Sequence, residues 1–255
     1  MPKTRRVYRE IYWSRIVIGI TLLSFAVCGV MLYFVFSRAA PGTLIIPPRG
    51  FFYVSTGSYD TRSEAIRGAA PLRAMGGAGF ILNDGQSFKT IAAVYANGRD
   101  AGSVAARLTE EGFSAEVIAR ETPVLRIPAS DAEEAKAFAA FFLEVHELFE
   151  AVFRLSVDLD ERRIAESHAV LSLTRLRANL VRRLSELGAF EDSFPESASV
   201  KALYNALITL FTDAVSFSSA ASVQSDIRYL LCGIADGYYK TITFLAEERS
   251  GEGRS

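Results

Sequence analysis

Residues 52–77 read FYVSTGSYDTRSEAIRGAAPLRAMGG, and residues 88–113 read FKTIAAVYANGRDAGSVAARLTEEGF. The second stretch lies over the first at an offset of 36 with no gap. Tyr59 meets Tyr95. Ala65, Ala69, Ala70 and Leu72 meet Ala101, Ala105, Ala106 and Leu108. Gly76 meets Gly112, each where a helix would stop on a C′ glycine. Glu64 answers Asp100 at the two helix starts, where an acid suits the helix dipole. Strand-like runs at 51–55, 79–82, 88–95 and 115–119 flank helical patterns at 64–75 and 100–111. The order is β-α-β twice, an α+β module of the ferredoxin-like kind. The small residues let both helices lie close on one face of a four-stranded sheet. The other face is expected to stay open. By strand alternation Tyr53 and Ser55 share that face, as do Lys89 and Ile91.

Upstream, residues 16–36 are 21 consecutive uncharged, mostly apolar residues. As a helix they span about 31 Å, close to the hydrocarbon thickness of a bilayer. Tyr8, Tyr12 and Trp13 stand on one flank and Tyr33, Phe34 and Phe36 on the other, as in an aromatic belt. Lys3, Arg5, Arg6, Arg9 and Arg15 against Glu10 give residues 1–15 a balance of +4, although the whole chain carries −1. The positive-inside rule then places a cytoplasmic basic tail at 1–15, a single transmembrane helix at 16–37 and everything after it outside. A cleaved signal peptide and a buried core helix are the competing readings. The run is longer than the usual 7–15-residue signal-peptide core, which favours an uncleaved anchor. Residues 38–50 carry Pro41, Gly42, Pro47 and Pro48 and read as a short extended tether, reaching no more than about 45 Å.

Downstream, Pro123 and Pro128 mark a boundary, so the module occupies 51–122. From 128 to 249 the periodicity is helical. Phe138, Phe142, Val145, Phe149 and Phe153 form one stripe, and Phe141, Leu148, Leu155 and Leu159 a second. Leu173, Leu176, Leu180, Leu184 and Leu187 stripe another helix that Gly188 closes. Ser197 or Ser199 is a candidate cap for a third helix burying Leu203, Leu207, Leu210 and Phe211. After a break at 216–222, Val223, Ile227, Leu230, Ile234, Tyr238, Ile242 and Leu245 stripe a fourth. This is an all-α helical bundle. Residues 250–255 are small and polar and read as a disordered tail.

Several chemistries lack their residues. The near-neutral charge gives no nucleic-acid footprint, and two cysteines give no disulfide framework. His146 sits on an apolar stripe and reads as a packed core histidine; His168 has no second ligand at i+4. Asp160, in the Asp158–Asp160–Glu161 cluster, is expected to cap the next helix rather than hold a metal. The glycines at 76, 77 and 79 precede no GK[ST] and read as a helix stop plus turn. No catalytic residue, metal site or cofactor is identified, and the chain reads as a non-enzyme.

The run from Phe52 to Tyr59, the alanine-marked helix and the stretch from Leu72 to Gly76 resemble the first half of a SPOR domain, the sporulation-related repeat. The run from Phe88 to Tyr95, then Asp100-Ala101, Leu108 and Gly112, resemble the second half. The resemblance covers about seventy residues. It implies a bitopic or secreted bacterial protein of cell division or sporulation, whose module binds septal peptidoglycan with preference for glycan strands stripped of stem peptides. Carried over residue by residue, it implies glycan contacts at Tyr53, Ser55, Ser58, Lys89 and Ile91. Ser55 stands where the family has glutamine, Ser58 keeps the serine after the glycine, and Lys89 matches a basic position. Ala93 and Val94 replace a glycine and a proline. The partners implied are glycan strands and the lipid bilayer, with other envelope or divisome proteins meeting the bundle. The alternatives are an envelope protein–protein adaptor that binds no sugar, and an enzyme with its site in the bundle.

Overall fold

Each half of the repeat folds as strand, helix, strand in the computed structural model, which describes residues 43–216 and 222–252. Strand β1 (Thr43–Ile46) precedes the repeat. The first half is β2 (Gly50–Tyr59), α1 (Arg62–Ala74) and β3 (Phe80–Asn83). The second is β4 (Phe88–Tyr95), α2 (Gly98–Glu110) and β5 (Glu116–Glu121), and β6 (Leu125–Pro128) follows. The repeat extends to the caps. The Thr61 hydroxyl accepts from the Glu64 amide and donates to the Glu64 carboxylate at 2.8 Å. Asn97, 36 residues on, accepts from the Asp100 amide at 2.9 Å and donates to its carboxylate at 2.6 Å. Each cap satisfies an amide that the helix start would leave without a partner. Both helices stop on a glycine in the left-handed region, Gly76 at φ 85° and Gly112 at φ 93°, a conformation that costs side-chain-bearing residues more.

The four central strands pair antiparallel in the order β3-β4-β2-β5. The β2–β4 ladder slips on either side of Ser55, which bends the central strand. On one face, α1 and α2 cover Val54 and Ala92 with Leu72, Ala101 and Ala105. On the other, Phe51, Tyr53, Leu82, Ile91 and Val94 join a second, much larger core.

That larger core is the bundle. Its helices are α3 (Ala132–Asp160), α4 (Glu166–Glu186), α5 (Ser197–Val215) and α6 (Val223–Glu252), with a 3-10 turn at Leu187–Phe190. The two stripes of α3 supply Phe138, Phe141, Phe142, Val145, Leu148 and Phe149 to the interior. Phe138 stacks on Phe194 with ring centroids 4.4 Å apart. Tyr204 donates to the Phe141 carbonyl and the Glu144 carboxylate, each at 3.0 Å, and Arg183 pairs with Glu144 at 2.7 Å. Every residue of the stripe read for the last helix, Val223 through Leu245, is buried. One side of α6 packs on α3 and α5 and another on β3 and β4.

Several boundaries differ from the sequence reading. Part of the stretch read as a tether is β1, which pairs with β6 from the stretch read as an interdomain boundary. Module and bundle therefore belong to one compact unit, Leu44–Ser255. Neither Ser197 nor Ser199 caps α5. The residue before it is Glu196, already helical at φ −62° and ψ −17°, and the Ser197 and Ala198 amides bond the Phe194 and Pro195 carbonyls instead. Asp160 ends α3 rather than capping α4; it pairs with Arg228 at 2.5 Å and accepts from Gln224. Ala165 precedes α4 with no side-chain cap. The helix read as ending before 250 continues through Glu252. The basic tail and the apolar run at 16–36 lie outside the described residues. Among the described residues, no helix is long and apolar enough to cross a membrane.

Candidate functional site

The sheet face read as open is covered. Tyr53 and Ile91 have no exposed surface and Ser55 retains 1%. Alternation does put Tyr53, Ile91 and the bulged Ser55 on one side, and α6 lies over it. Phe80 packs edge-on against Tyr229, and Phe51 against Phe149 and Tyr238. The correction has a plain physical cause. Phe51, Tyr53, Leu82, Ile91 and Val94 form a continuous apolar surface, and leaving such a surface in water forgoes roughly 1.5–3 kcal/mol per large side chain. The stripe on α6 supplies its cover.

Polar groups fix α6 in place at both ends of the crossing. Near its start, Ser225 donates to the Gly77 carbonyl at 2.8 Å, Arg228 to the Gly76 carbonyl at 2.6 Å, and Arg73 pairs with Asp226 at 2.9 Å. The glycine turn after α1 is thus a helix stop whose carbonyls receive α6. Further along, Asp236 is held by Arg120 of β5 at 3.2 Å and by Lys240 at 2.6 Å, while the Arg120 guanidinium lies 5.1 Å over the Tyr239 ring. Arg120 and Asp236 are both largely buried, so this pair is shielded from solvent screening.

Tyr53 lies in the middle of this contact. Its hydroxyl is buried with no hydrogen-bond partner. Burial, reinforced by the nearby Cys232 thiol and Asp236 carboxylate, holds its pKa well above the usual tyrosine range. Burial likewise pushes the Cys232 thiol up, leaving it un-ionised and unreactive at neutral pH. The Ser55 hydroxyl donates to the Gly57 carbonyl at 3.3 Å across the bulge.

Two of the five predicted residues reach solvent. Ser58 and Lys89 are register partners near the end of the β2–β4 ladder. Ser58 is exposed and donates to the Ser87 hydroxyl at 3.1 Å. Lys89 keeps 18% of its side chain exposed and pairs with Glu116 of β5 at 3.0 Å. Beside them, the Asp84 carboxylate accepts from the Gln86 and Ser87 amides, which hold it below the usual carboxylate range. The uncovered end of the sheet is therefore a hydroxyl-rich strip with paired charges. Sequence reasoning missed Ser87 and Glu116 because folding alone brings them there, Ser87 from the β3–β4 turn and Glu116 from β5. His146 is half-buried on the wall of a cleft rather than packed in the core. Among the described residues, no group of three or more His, Cys, Asp or Glu side chains could hold a metal ion.

No family model matches the chain, and no curated protein matches it. A solved structure that does match is the solution structure of the peptidoglycan binding domain of the B. subtilis cell wall lytic enzyme CwlC. It is 25% identical over 28% of this chain and 90% of that domain, with a TM-score of 0.25.

Proposed function

We propose that this protein is a non-catalytic, membrane-anchored component of the bacterial cell envelope. Its SPOR-like module binds glycan strands of septal peptidoglycan during division or sporulation. The observation that carries the reading is the 36-residue repeat, which folds as two matched β-α-β halves with the same cap chemistry at Thr61 and Asn97 and the same glycine stop at Gly76 and Gly112. The buried face is not the glycan surface. The strip formed by Ser58, Ser87 and Lys89 offers hydroxyls and an ammonium at the sheet's free end, groups that hydrogen-bond sugar hydroxyls. The run at 16–36 serves as the anchor, with the N-terminus inside and the folded unit outside the cytoplasm.

One observation favours a second reading, an envelope adaptor that binds no sugar: the module has given its broad sheet face to its own helix. The test is sedimentation of the full chain, in mild detergent, with purified sacculi. One batch is intact and the other is stripped of stem peptides by an amidase. Stronger retention on the stripped batch supports glycan recognition. No retention on either batch overturns it and leaves the adaptor reading. An isolated fragment of residues 48–124 is the wrong reagent, because it would expose Phe51, Tyr53, Leu82, Ile91 and Val94.

A further inference from the structure

The outer face of α4 is exposed and carries one sign of charge. Residues 167–185 hold Arg175, Arg177, Arg182 and Arg183 and no acid, in a chain whose net charge is −1. The inner side of the helix, with Ala169, Leu173 and Leu180, is buried against α3 and α5. Arg177 and Arg183 serve that side: Arg177 donates to the Thr212 hydroxyl at 3.2 Å, and Arg183 pairs with Glu144 and Glu186. Arg175 and Arg182 are exposed, and neither makes an ion pair among the described residues.

Apolar groups share the face with these two arginines. Residues seven apart on a helix fall within about 20° of one another. Arg175 and Arg182 therefore form one row, Leu171 and Ala178 the next, and Thr174 and Val181 a third, and all six are exposed. Leu171 is 48% exposed and Val181 51%. The Thr174 hydroxyl donates to the Val170 carbonyl at 2.9 Å, within the helix itself. A helix face that meets only water carries both signs of charge, whereas a basic face with interleaved apolar groups suits a membrane surface. A second copy of the chain is a poor partner, because α4 against α4 sets arginine beside arginine with no acid to answer it.

We infer that the outer face of α4 lies on an anionic bilayer surface, with Arg175 and Arg182 on lipid phosphates and Leu171, Ala178 and Val181 at the head-group level. The two arginines are about 10 Å apart along the helix axis. That spacing does not enclose a small anion, but it matches a plane of negative charge, which an anionic leaflet presents. Two charges attract such a surface weakly, and the layout of the chain supplies the rest. Leu44, where the folded unit begins, stands eight residues past Phe36, the end of the apolar run, a reach of at most about 29 Å. A short tether gives an effective concentration on the order of millimolar, at which a weak contact is populated. The inference rests on the anchor reading above.

The test uses the full chain in nanodiscs doped with a head-group nitroxide lipid. One set of discs is phosphatidylcholine and the other is rich in phosphatidylglycerol. An NBD fluorophore is placed on the Ala178→Cys variant in a Cys28→Ser background, where the remaining Cys232 is buried. A second sample carries the fluorophore on the natural Cys28, within the apolar run. The expected result is at least threefold more quenching at position 178 in phosphatidylglycerol discs than in phosphatidylcholine discs. Sodium chloride at about 0.5 M, where screening is strong, should remove at least half of that quenching, and so should the Arg175→Gln/Arg182→Gln double variant. A lipid difference below threefold at position 178, or quenching that the double variant retains, overturns the inference. With Cys28 quenched, that result leaves the anchor standing and turns the search to a soluble acidic partner for α4. With Cys28 unquenched, the anchor reading and the inference fall together.

Discussion

The four-stranded sheet has two covered faces, and they are covered in different ways. Toward α1 and α2 the contact is made by small side chains, with Ala92, Ala101 and Ala105 packed around Val54 and Leu72. Toward α6 it is made by large ones, Phe51, Tyr53, Leu82, Ile91 and Val94, merging with the aromatic interior of the bundle. The first face is closed by elements within the same repeat. The second is closed by a helix that bonds to the module across sequence separations of 116 to 153 residues. A small-residue face needs only a local partner that can approach closely. A large-residue face needs an apolar stripe of matching length, which the module does not contain.

The largest expected effect separates the two uses of Tyr53. As a buried core residue, Tyr53→Ala should destabilise the folded unit by roughly 3–5 kcal/mol, the cost of removing a large side chain from a packed interior. Tyr53→Phe should be neutral or stabilising, because the hydroxyl it removes is buried and unpartnered. Urea denaturation of both variants checks this. A Tyr53→Phe variant that loses stability would mean that the hydroxyl has a partner and that the face is wetter than its apolar packing implies.

Alkaline titration sharpens the same contrast. Burial pushes Tyr238 up to about 12 and holds Tyr53 higher than an ordinary tyrosine; both belong to the α6 side. An unfolded tyrosine ionises near 10. Above that pH the unfolded chain holds fewer protons than the folded one, so stability falls as pH rises from about 10 toward 12. A tenfold difference in proton affinity between the folded and unfolded chain corresponds to about 1.4 kcal/mol. Tyr238 alone should account for roughly 2 kcal/mol of loss across this window. The melting temperature should drop across this window, and Tyr238→Phe should flatten the drop. An unchanged slope in that variant would show that the contact between α6 and β2 does not shield the ring.

On the small-residue face, Ala105→Leu should overpack the seam between α2 and the sheet and cost roughly 1–3 kcal/mol. Its mirror in the first half, Ala69→Leu, should cost a similar amount if the repeat is structurally equivalent. Guanidinium melts of the pair check that equivalence, and a difference beyond about 2 kcal/mol would break it.

These contrasts explain how much can be read from the residues. The βαββαβ order, the four bundle helices and the α6 stripe follow from short-range periodicity, and the observed elements lie within a few residues of those runs. The repeat also carries a signal for its own caps: Thr61 and Asn97 stand 36 apart and each precedes an acid by three. The cover on the Tyr53 face is not legible in this way. Alternation says which residues share a face but not what lies above it, and the apolar character of Phe51, Tyr53, Ile91 and Val94 is the one local sign that the face is not solvated. Strand β1 is hidden for a related reason. Its four residues sit in a proline-marked stretch, and its partner β6 is also four residues long, so neither run has enough length to announce a strand alone. Asp160 departs from the expected cap because the α3–α4 turn uses Arg162 at φ 56° and leaves the acid facing Arg228.

The smallest expected change in stability carries the sharpest statement about function. Lys89 is the one charged member of the predicted glycan set, and its ion pair joins a mostly buried side chain to a largely exposed Glu116. Such a pair contributes about 0–1 kcal/mol, so Lys89→Gln should move the stability by less than about 0.5 kcal/mol. If the free end of the sheet is the glycan surface, the same variant should lose several-fold in retention on stripped sacculi, and Ser58→Ala should lose less because a neutral hydroxyl donates a weaker bond than an ammonium. If the face under α6 opened to bind glycan instead, retention would follow the stability of the α6 contact: Arg120→Ala would raise it by loosening the cover, and Lys89→Gln would act only through its small effect on the fold. Measuring retention for Lys89→Gln and Arg120→Ala side by side assigns glycan binding to one end of the sheet or to the other face.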